Sequence, residues 1–232
     1  MKVRGKNYKS SKEKIEQGKL YSREEAVKLI KEISKAKFDA TVEVAMNLSL
    51  DVKKADQQLR GAISLPNGTG KDVKVLVIAK GDFAKDALDN GADYVGDVDL
   101  LQKIEKENWF DFDVMIATPD MMPVLGRYGK ILGPKGLMPN PKTGTVTTQV
   151  GKAVQEAKAG RVEYRTDSYG NIHGIIGKAS FTEKALLENL DAFVKTIIRI
   201  KPATVKGNYI NTIAISSTMS PSIKIDQNSF DI

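Results

Sequence analysis

Cysteine is absent from this chain of 232 residues, and histidine occurs once, as His173. Disulfides, thiolate catalysis and every cysteine-based zinc site are thereby excluded, and one imidazole cannot form a histidine-rich metal cluster by itself. Long apolar runs are missing too. None approaches the ~18 residues of a membrane-spanning helix, and the basic start MKVRGKNYKSSKEKIEQGKLYS has no apolar stretch behind it of the kind a secretory leader needs. An intracellular protein with no membrane partner is expected. The phosphate-loop pattern G-x-x-x-x-G-K-[ST] is also lacking: Gly68-Thr69-Gly70-Lys71 is followed by Asp72 where the metal-holding hydroxyl would stand, and Gly126 to Lys130 runs on into Ile131. A nucleotide-using enzyme is disfavoured on that spacing. The remaining carboxylate chemistry centres on Asp111, Asp113 and Asp120, which flank the apolar run Val114 to Ala117. Asp113 and Asp120 fall near opposite ends of one strand, too far apart for a dyad, so a helix cap and a strand-edge carboxylate are the expected roles. No catalytic residue, cofactor or metal is expected.

Acidic residues are missing from one long window. None lies between Met121 and Gln155, and inside that window runs GRYGKILGPKGLMPNPKTGTVT, from Gly126 to Thr147. Its glycines are expected to leave backbone N–H groups uncovered, its prolines restrict the path, and Arg127, Lys130, Lys135 and Lys142 carry charge with no neighbouring carboxylate. A polyanion, RNA first, is the partner such a segment fits; a solvated basic surface loop is the alternative reading of the same composition. The net charge of +7 and isoelectric point near 9.3 point the same way.

With 41% hydrophobic and 28% charged residues, the chain can build one large domain or two ordinary ones. Two kinds of strand pattern are present. Thr41 to Leu50 alternates strictly, with Val42, Val44, Met46, Leu48 and Leu50 on one face, as in a sheet with one wet side. Arg161 to Asp167 and Tyr209 to Met219 alternate more loosely. Val75 to Ala79 and Val114 to Ala117 are instead continuous apolar runs, the mark of parallel strands covered on both faces. These patterns imply a discontinuous α+β domain from residues 1–69 and 160–232, with an α/β domain, 70–159, inserted in it. Pro66 to Lys71 and Ala159-Gly160 are the expected crossings. Ser22 with Glu25 forms a capping box ahead of Ala26, Leu29, Ile30 and Ile33. Asp82 to Asn90 closes at Gly91, and Val98 to Trp109 turns Leu101 and Ile104 inward. Thr182 caps the longest helix, whose stripe of Leu186, Leu187, Leu190, Phe193, Val194, Ile197 and Ile198 is core. The basic first twenty residues suggest a flexible arm.

Several stretches together carry a resemblance: FDATVEV (Phe38 to Val44), DQQLRGAISLPNGTGK (Asp56 to Lys71), GADYVG (Gly91 to Gly96), GKILGPKGLMPNPKTGTV (Gly129 to Val146), HGIIGKASF (His173 to Phe181) and STMSPSIKID (Ser217 to Asp226). They resemble, nearly end to end, the bacterial form of the large-subunit ribosomal protein family conventionally called L-one. The resemblance implies a two-layer first domain with a Rossmann-like, three-layer second domain inserted in it. It also implies a cytoplasmic protein on the ribosome, a monomer when off it. The implied partners are large-subunit ribosomal RNA at the base of a mobile stalk, transfer RNA at the exit site, whose movement and release the stalk assists, and the protein's own messenger RNA in a repressor role. A free messenger-binding regulator is the competing reading.

The same resemblance transfers an rRNA-contact strip onto Lys37, Phe38, Thr41 and Glu43 with Thr218, Met219 and Ser220. Thr41 and Glu43 share the wet face of one strand, where a hydroxyl and a carboxylate can read 2′-OH groups or base donors; Phe38 can stack and Lys37 can neutralise phosphate. Packing against the first helix is the alternative for Phe38, and an ordinary surface acid the alternative for Glu43. Ser220 stands where the family usually has glycine, so it is expected either to bear strain of about 1 kcal/mol at a positive φ or to add a hydrogen bond through its hydroxyl. His173 and Lys178 are expected to flank a short hairpin containing Gly174 and Gly177 and to help hold the RNA edge; a packed or solvent-facing histidine is the alternative. Arg127, Lys130, Lys135 and Lys142 fall in the second domain, where transfer RNA or a second RNA segment is the implied contact.

Overall fold

The computed structural model describes residues 5–230, which fall into two compact units: residues up to Gly70 together with Val162 onward, and Lys71–Arg161. In chain order the helices and strands are α1 (Lys6–Glu13), α2 (Arg23–Ile33), β1 (Thr41–Leu48), β2 (Arg60–Ser64), β3 (Val75–Ile78), α3 (Asp82–Asp89), β4 (Tyr94–Gly96), α4 (Val98–Glu107), β5 (Val114–Ala117), α5 (Met122–Leu125), α6 (Gly129–Leu132), α7 (Val150–Lys158), β6 (Arg161–Arg165), β7 (Asn171–Lys178), α8 (Glu183–Arg199), β8 (Ile210–Ser217) and β9 (Ile223–Ile225).

In the first unit β7, β1, β8 and β9 form a four-stranded antiparallel sheet in that order, and β2 pairs with β6. Along β1 the residues Val42, Val44, Met46 and Leu48 are buried while Thr41, Glu43, Ala45 and Asn47 keep access to solvent, so one face of the sheet is dry and the other wet. Helices α2 and α8 pack against each other and against this sheet. The capping box at α2 is complete: Ser22 Oγ accepts from Glu25 N–H, and Glu25 reaches back to Ser22 N–H. Thr182 Oγ1 caps α8 by accepting from Ala185 N–H.

The start of the chain departs from the flexible arm expected of its charge. Residues 1–4 lie outside the described residues, but α1 is a helix, and the hydroxyl of buried Ser11 donates to Ile33 O at 3.0 Å, fixing α1 at the C-terminal end of α2. The second departure is β7. His173 and Lys178 lie on one continuous strand, with no hairpin between them. Gly174 suggested a turn, yet it is paired with Val44 and leaves room for a ring: a Cβ there would sit 2.3 Å from Phe193 of α8. Gly174→Ala is therefore expected to lower stability by about 1–3 kcal/mol through overpacking. Gly129→Ala, in helical backbone with nothing within 4 Å, serves as the control and should stay within about 0.5 kcal/mol. Midpoints of urea unfolding compare the two.

In the second unit β4, β3 and β5 form a parallel sheet. All four residues of β3 are buried, because each face meets its own apolar cluster. Leu76 and Ile78 join Leu101 and Ile104 of α4 on one side; Val75 and Val77 join Ala87 of α3 and Val150 and Val154 of α7 on the other. Within the basic segment, Gly126–Tyr128, Gly129–Leu132 and Pro141–Thr143 form short helical turns, and Leu132 and Thr143 are buried.

Candidate nucleic-acid interface

The strip residues from both flanks of the chain meet at one end of the four-stranded sheet, because β1 lies between β7 and β8. Thr41 opens β1, Lys178 closes β7 opposite it, and Thr218 follows the last residue of β8. Hydrogen bonds join the three in a row. Lys178 Nζ donates to Thr41 Oγ1 at 2.8 Å, and Thr218 Oγ1 accepts from Thr41 N–H at 3.1 Å. Thr218 N–H donates to Thr41 O at 3.0 Å. The side chain of Thr218 is thus spent on aligning the strand ends, and the chemistry it offers outward is its methyl group and the backbone it holds. On the Lys178 side, Asp39 accepts from both N–H and hydroxyl of Ser180, and Ala179 N–H donates to Ala40 O. Sequence reasoning missed this clasp, whose signal was the short polar pair alone.

Beside the row stand two exposed apolar side chains, Phe38 at 56% and Met219 at 82% of full exposure. Neither belongs to the buried core. Met219 takes φ +67, unusual for a residue with a side chain. It occupies the third position of a turn in which Ser220 N–H donates to Ser217 O at 2.9 Å, a place where type II turns demand positive φ. The strain falls on Met219, not on Ser220. Ser220 Oγ accepts from Ser217 N–H at 2.9 Å and donates to Pro221 O at 3.1 Å, so the hydroxyl closes the turn that presents Met219. Lys37 and Glu43 are both exposed, and neither has an ion-pair partner among the described residues.

His173 shares the wet face but not the row. It pairs with Ala45, four residues along β1 from Thr41, a separation of about 14 Å at ~3.4 Å per residue. Its Nε2 stands 3.7 Å from Asp167, whose carboxyl is held below its usual range first by the side-chain amide of Asn171. Asn47 Nδ2 donates to Asn171 Oδ1 and Asn211 Nδ2 donates to Asn47 Oδ1, continuing a polar ladder across this end of the face.

Arg127, Lys130, Lys135 and Lys142 of the second unit are exposed and have no carboxylate partner among the described residues. The expectation of free glycine amides there is overturned. Gly133 N–H donates to Gly129 O, Gly136 N–H to Gly133 O and Gly144 N–H to Pro141 O, because the segment closes into short turns. Lys135 Nζ lies 4.0 Å over the Phe110 ring, which uses part of its charge internally. The carboxylates weighed for catalysis are also engaged: Asp113 accepts from Lys71 Nζ and from Lys74 N–H, and Asp111 from Lys74 Nζ and Tyr94 Oη. Lys71 and Lys74, respectively, are the main reason both carboxyls titrate below their ordinary value. Neither Asp113 nor Asp120 caps a helix by its side chain. Among the described residues no group of side chains is arranged to hold a metal ion, and no helix is long and apolar enough to cross a membrane.

Most of the chain is similar to known proteins. The model of the Ribosomal protein L1p/L10e family matches residues 30–221. The chain is 60% identical over 223 residues to a protein of Phytoplasma australiense described as large ribosomal subunit protein uL1, an alignment covering 96% of this chain and 97% of that one.

Proposed function

Since the chain belongs to the Ribosomal protein L1p/L10e family, we propose that it is the constituent of the large ribosomal subunit that holds ribosomal RNA at a mobile stalk near the exit site. The contact surface is the strip of Lys37, Phe38, Thr41, Glu43, Thr218, Met219 and Ser220, with Lys178 bracing Thr41 and His173 at a second row. The observation that carries this reading is the Lys178–Thr41–Thr218 row together with two exposed apolar side chains, Phe38 and Met219, and the exposed Lys37 next to Phe38 in the chain. Met219 on its strained, well-braced turn and Phe38 near it offer apolar surface that a partner can cover. Unstacked bases and ribose faces cover apolar groups while phosphates meet the lysine.

The second unit, in this proposal, is a Rossmann-like domain inserted in the first, and Arg127, Lys130, Lys135 and Lys142 meet transfer RNA or a second RNA segment as the stalk moves. Binding of the protein's own messenger as a repressor uses the same strip on a similar RNA structure. The protein works in the cytoplasm, as a monomer when off the ribosome, and its role is binding, with no catalytic step.

Titration with a stalk RNA hairpin and a DNA copy of it tests the reading. The RNA is expected to bind at least tenfold more tightly at moderate salt, because 2′-OH groups meet Thr41 and Glu43 only in the RNA. Equal affinities set by ionic strength alone would reject it. Sedimentation with large subunits then separates a ribosomal constituent from a free messenger-binding regulator, which would remain in the supernatant.

A further inference from the structure

A groove of about 850 Å³ opens beside the strip, between α1, the segment that follows α2, and the turn at Thr218–Ser220. We propose that this groove receives one unpaired nucleotide of the RNA bound on the strip, its base against Tyr8 and Phe38 and its phosphate among Lys6, Lys35 and Lys37. The inference rests on the RNA-binding reading above and adds a subsite to it.

Three observations select a nucleotide as the occupant. The groove is continuous with the strip, since Phe38, Met219 and Ser220 belong to both, so RNA lying on the strip is already beside the opening. Its lining is mixed in one particular way. Tyr8, Phe38 and Met219 give flat or polarisable apolar surface, three lysines give positive charge, and no carboxylate lines it among the described residues. A planar apolar group joined to an anion complements that lining, whereas a purely apolar peptide would leave the lysines without a counter-charge. The volume falls within the ~300–1,000 Å³ of small-molecule sites, suited to one splayed-out base and not to a duplex. The walls are also fixed in place. Ser11 secures α1 to the end of α2, Lys35 Nζ is held 2.7 Å from Ser10 Oγ, and the Ser217–Ser220 turn sets Met219. The lysines provide attraction without sequence preference; the rings provide a place that only an unstacked base can use.

The test uses the full chain and a stalk RNA hairpin in which each unpaired nucleotide is made abasic in turn. One abasic position is expected to weaken wild-type binding about tenfold, the scale of one lost base–aromatic stack. Tyr8→Leu should weaken binding to the intact hairpin by a similar factor and show no further loss at that same position, while Tyr8→Phe, which retains the ring, should bind as wild type. Coincident thermal unfolding of the three proteins confirms that the fold is kept. Thr218→Val is the companion variant for the strip. If it weakens binding and Tyr8→Leu does not, or if the losses from Tyr8→Leu and from every abasic position simply multiply, the groove proposal is overturned and the strip stands. If neither variant changes affinity, the strip reading itself falls, and the groove proposal with it.

Discussion

Replacing Asn189 with leucine is expected to lower the stability of the first unit by about 3 kcal/mol, as much as removing a large core side chain. Asn189 lies on the buried face of α8 and is fully excluded from solvent. Its Oδ1 accepts from Asn67 N–H at 3.0 Å, and its Nδ2 donates to Gly68 O at 3.0 Å and to Ile176 O at 2.8 Å. Ile176 is the extra residue of a bulge in β7, since Val42 pairs with Gly177 and Glu43 with Ile175, so its carbonyl depends on this amide. Leucine fills similar space but leaves one donor and two acceptors unsatisfied, each at roughly 1–3 kcal/mol, with water offsetting part of the loss at the two less buried loop groups. Urea unfolding gives the stability change, and hydrogen exchange should show faster exchange at the Asn67 amide in particular. A loss under about 1 kcal/mol with Asn67 still protected would mean that water or a rearranged loop replaces the side chain. Asn189→Asp should cost at least as much at neutral pH, because it retains the acceptor for Asn67 but sets a buried carboxylate against the Gly68 and Ile176 carbonyls.

The sequence signal for Asn189 was available but quiet. It interrupts the apolar stripe of Leu186, Leu190 and Phe193 at helical spacing, where a polar residue must either face outward or find partners, and nothing local says which. The same division between local and distant information runs through the rest of the molecule. Alternation in β1, the capping box at Ser22 and the apolar run of β5 depend on neighbours a few residues away, and the structure shows each of them. Gly174 and Gly177 looked like turn residues because glycine commonly marks turns. Gly174 instead accommodates Phe193, nineteen positions further along, a contact no short window contains. Helix α1 was equally hidden, since its charge suggests a free arm and its docking depends on Ser11 reaching Ile33 O. At the candidate site, the resemblance implied a contact role for Thr218 without saying which of its groups would face outward. Only the pairing of β1 with β8 reveals that its hydroxyl is turned onto Thr41 and that Met219 is the group turned outward.

Thr218→Val and Lys37→Ala are expected to weaken binding to a stalk RNA fragment in distinguishable ways, and the contrast follows from what each side chain contacts. Valine at 218 keeps the size of threonine and removes the acceptor for Thr41 N–H, together with the weaker donation to Thr41 O at 3.3 Å. No charge changes. Thr41 loses the side-chain bonds that tie it to Thr218, and the turn carrying Met219 is left joined to Thr41 by the backbone bond from Thr218 N–H alone. Affinity should fall by about 1–2 kcal/mol, or five- to thirtyfold, with the dependence on salt concentration unaltered. Thr218→Ser, which retains the hydroxyl, should recover most of the loss. Lys37 is exposed and has no ion-pair partner among the described residues, so alanine there is expected to remove the proposed phosphate contact and little else. The slope of log K against log salt should become shallower by about 0.7–0.9, and the affinity loss should shrink as salt is raised. Combining the two changes should give additive losses, since one acts through strand alignment and the other through charge. If Thr218→Val flattens the salt dependence, its hydroxyl orders a cationic contact and Lys178, which donates to Thr41, becomes the residue through which it acts. If it leaves affinity untouched, the row is a structural clasp alone and the RNA surface lies elsewhere on the sheet.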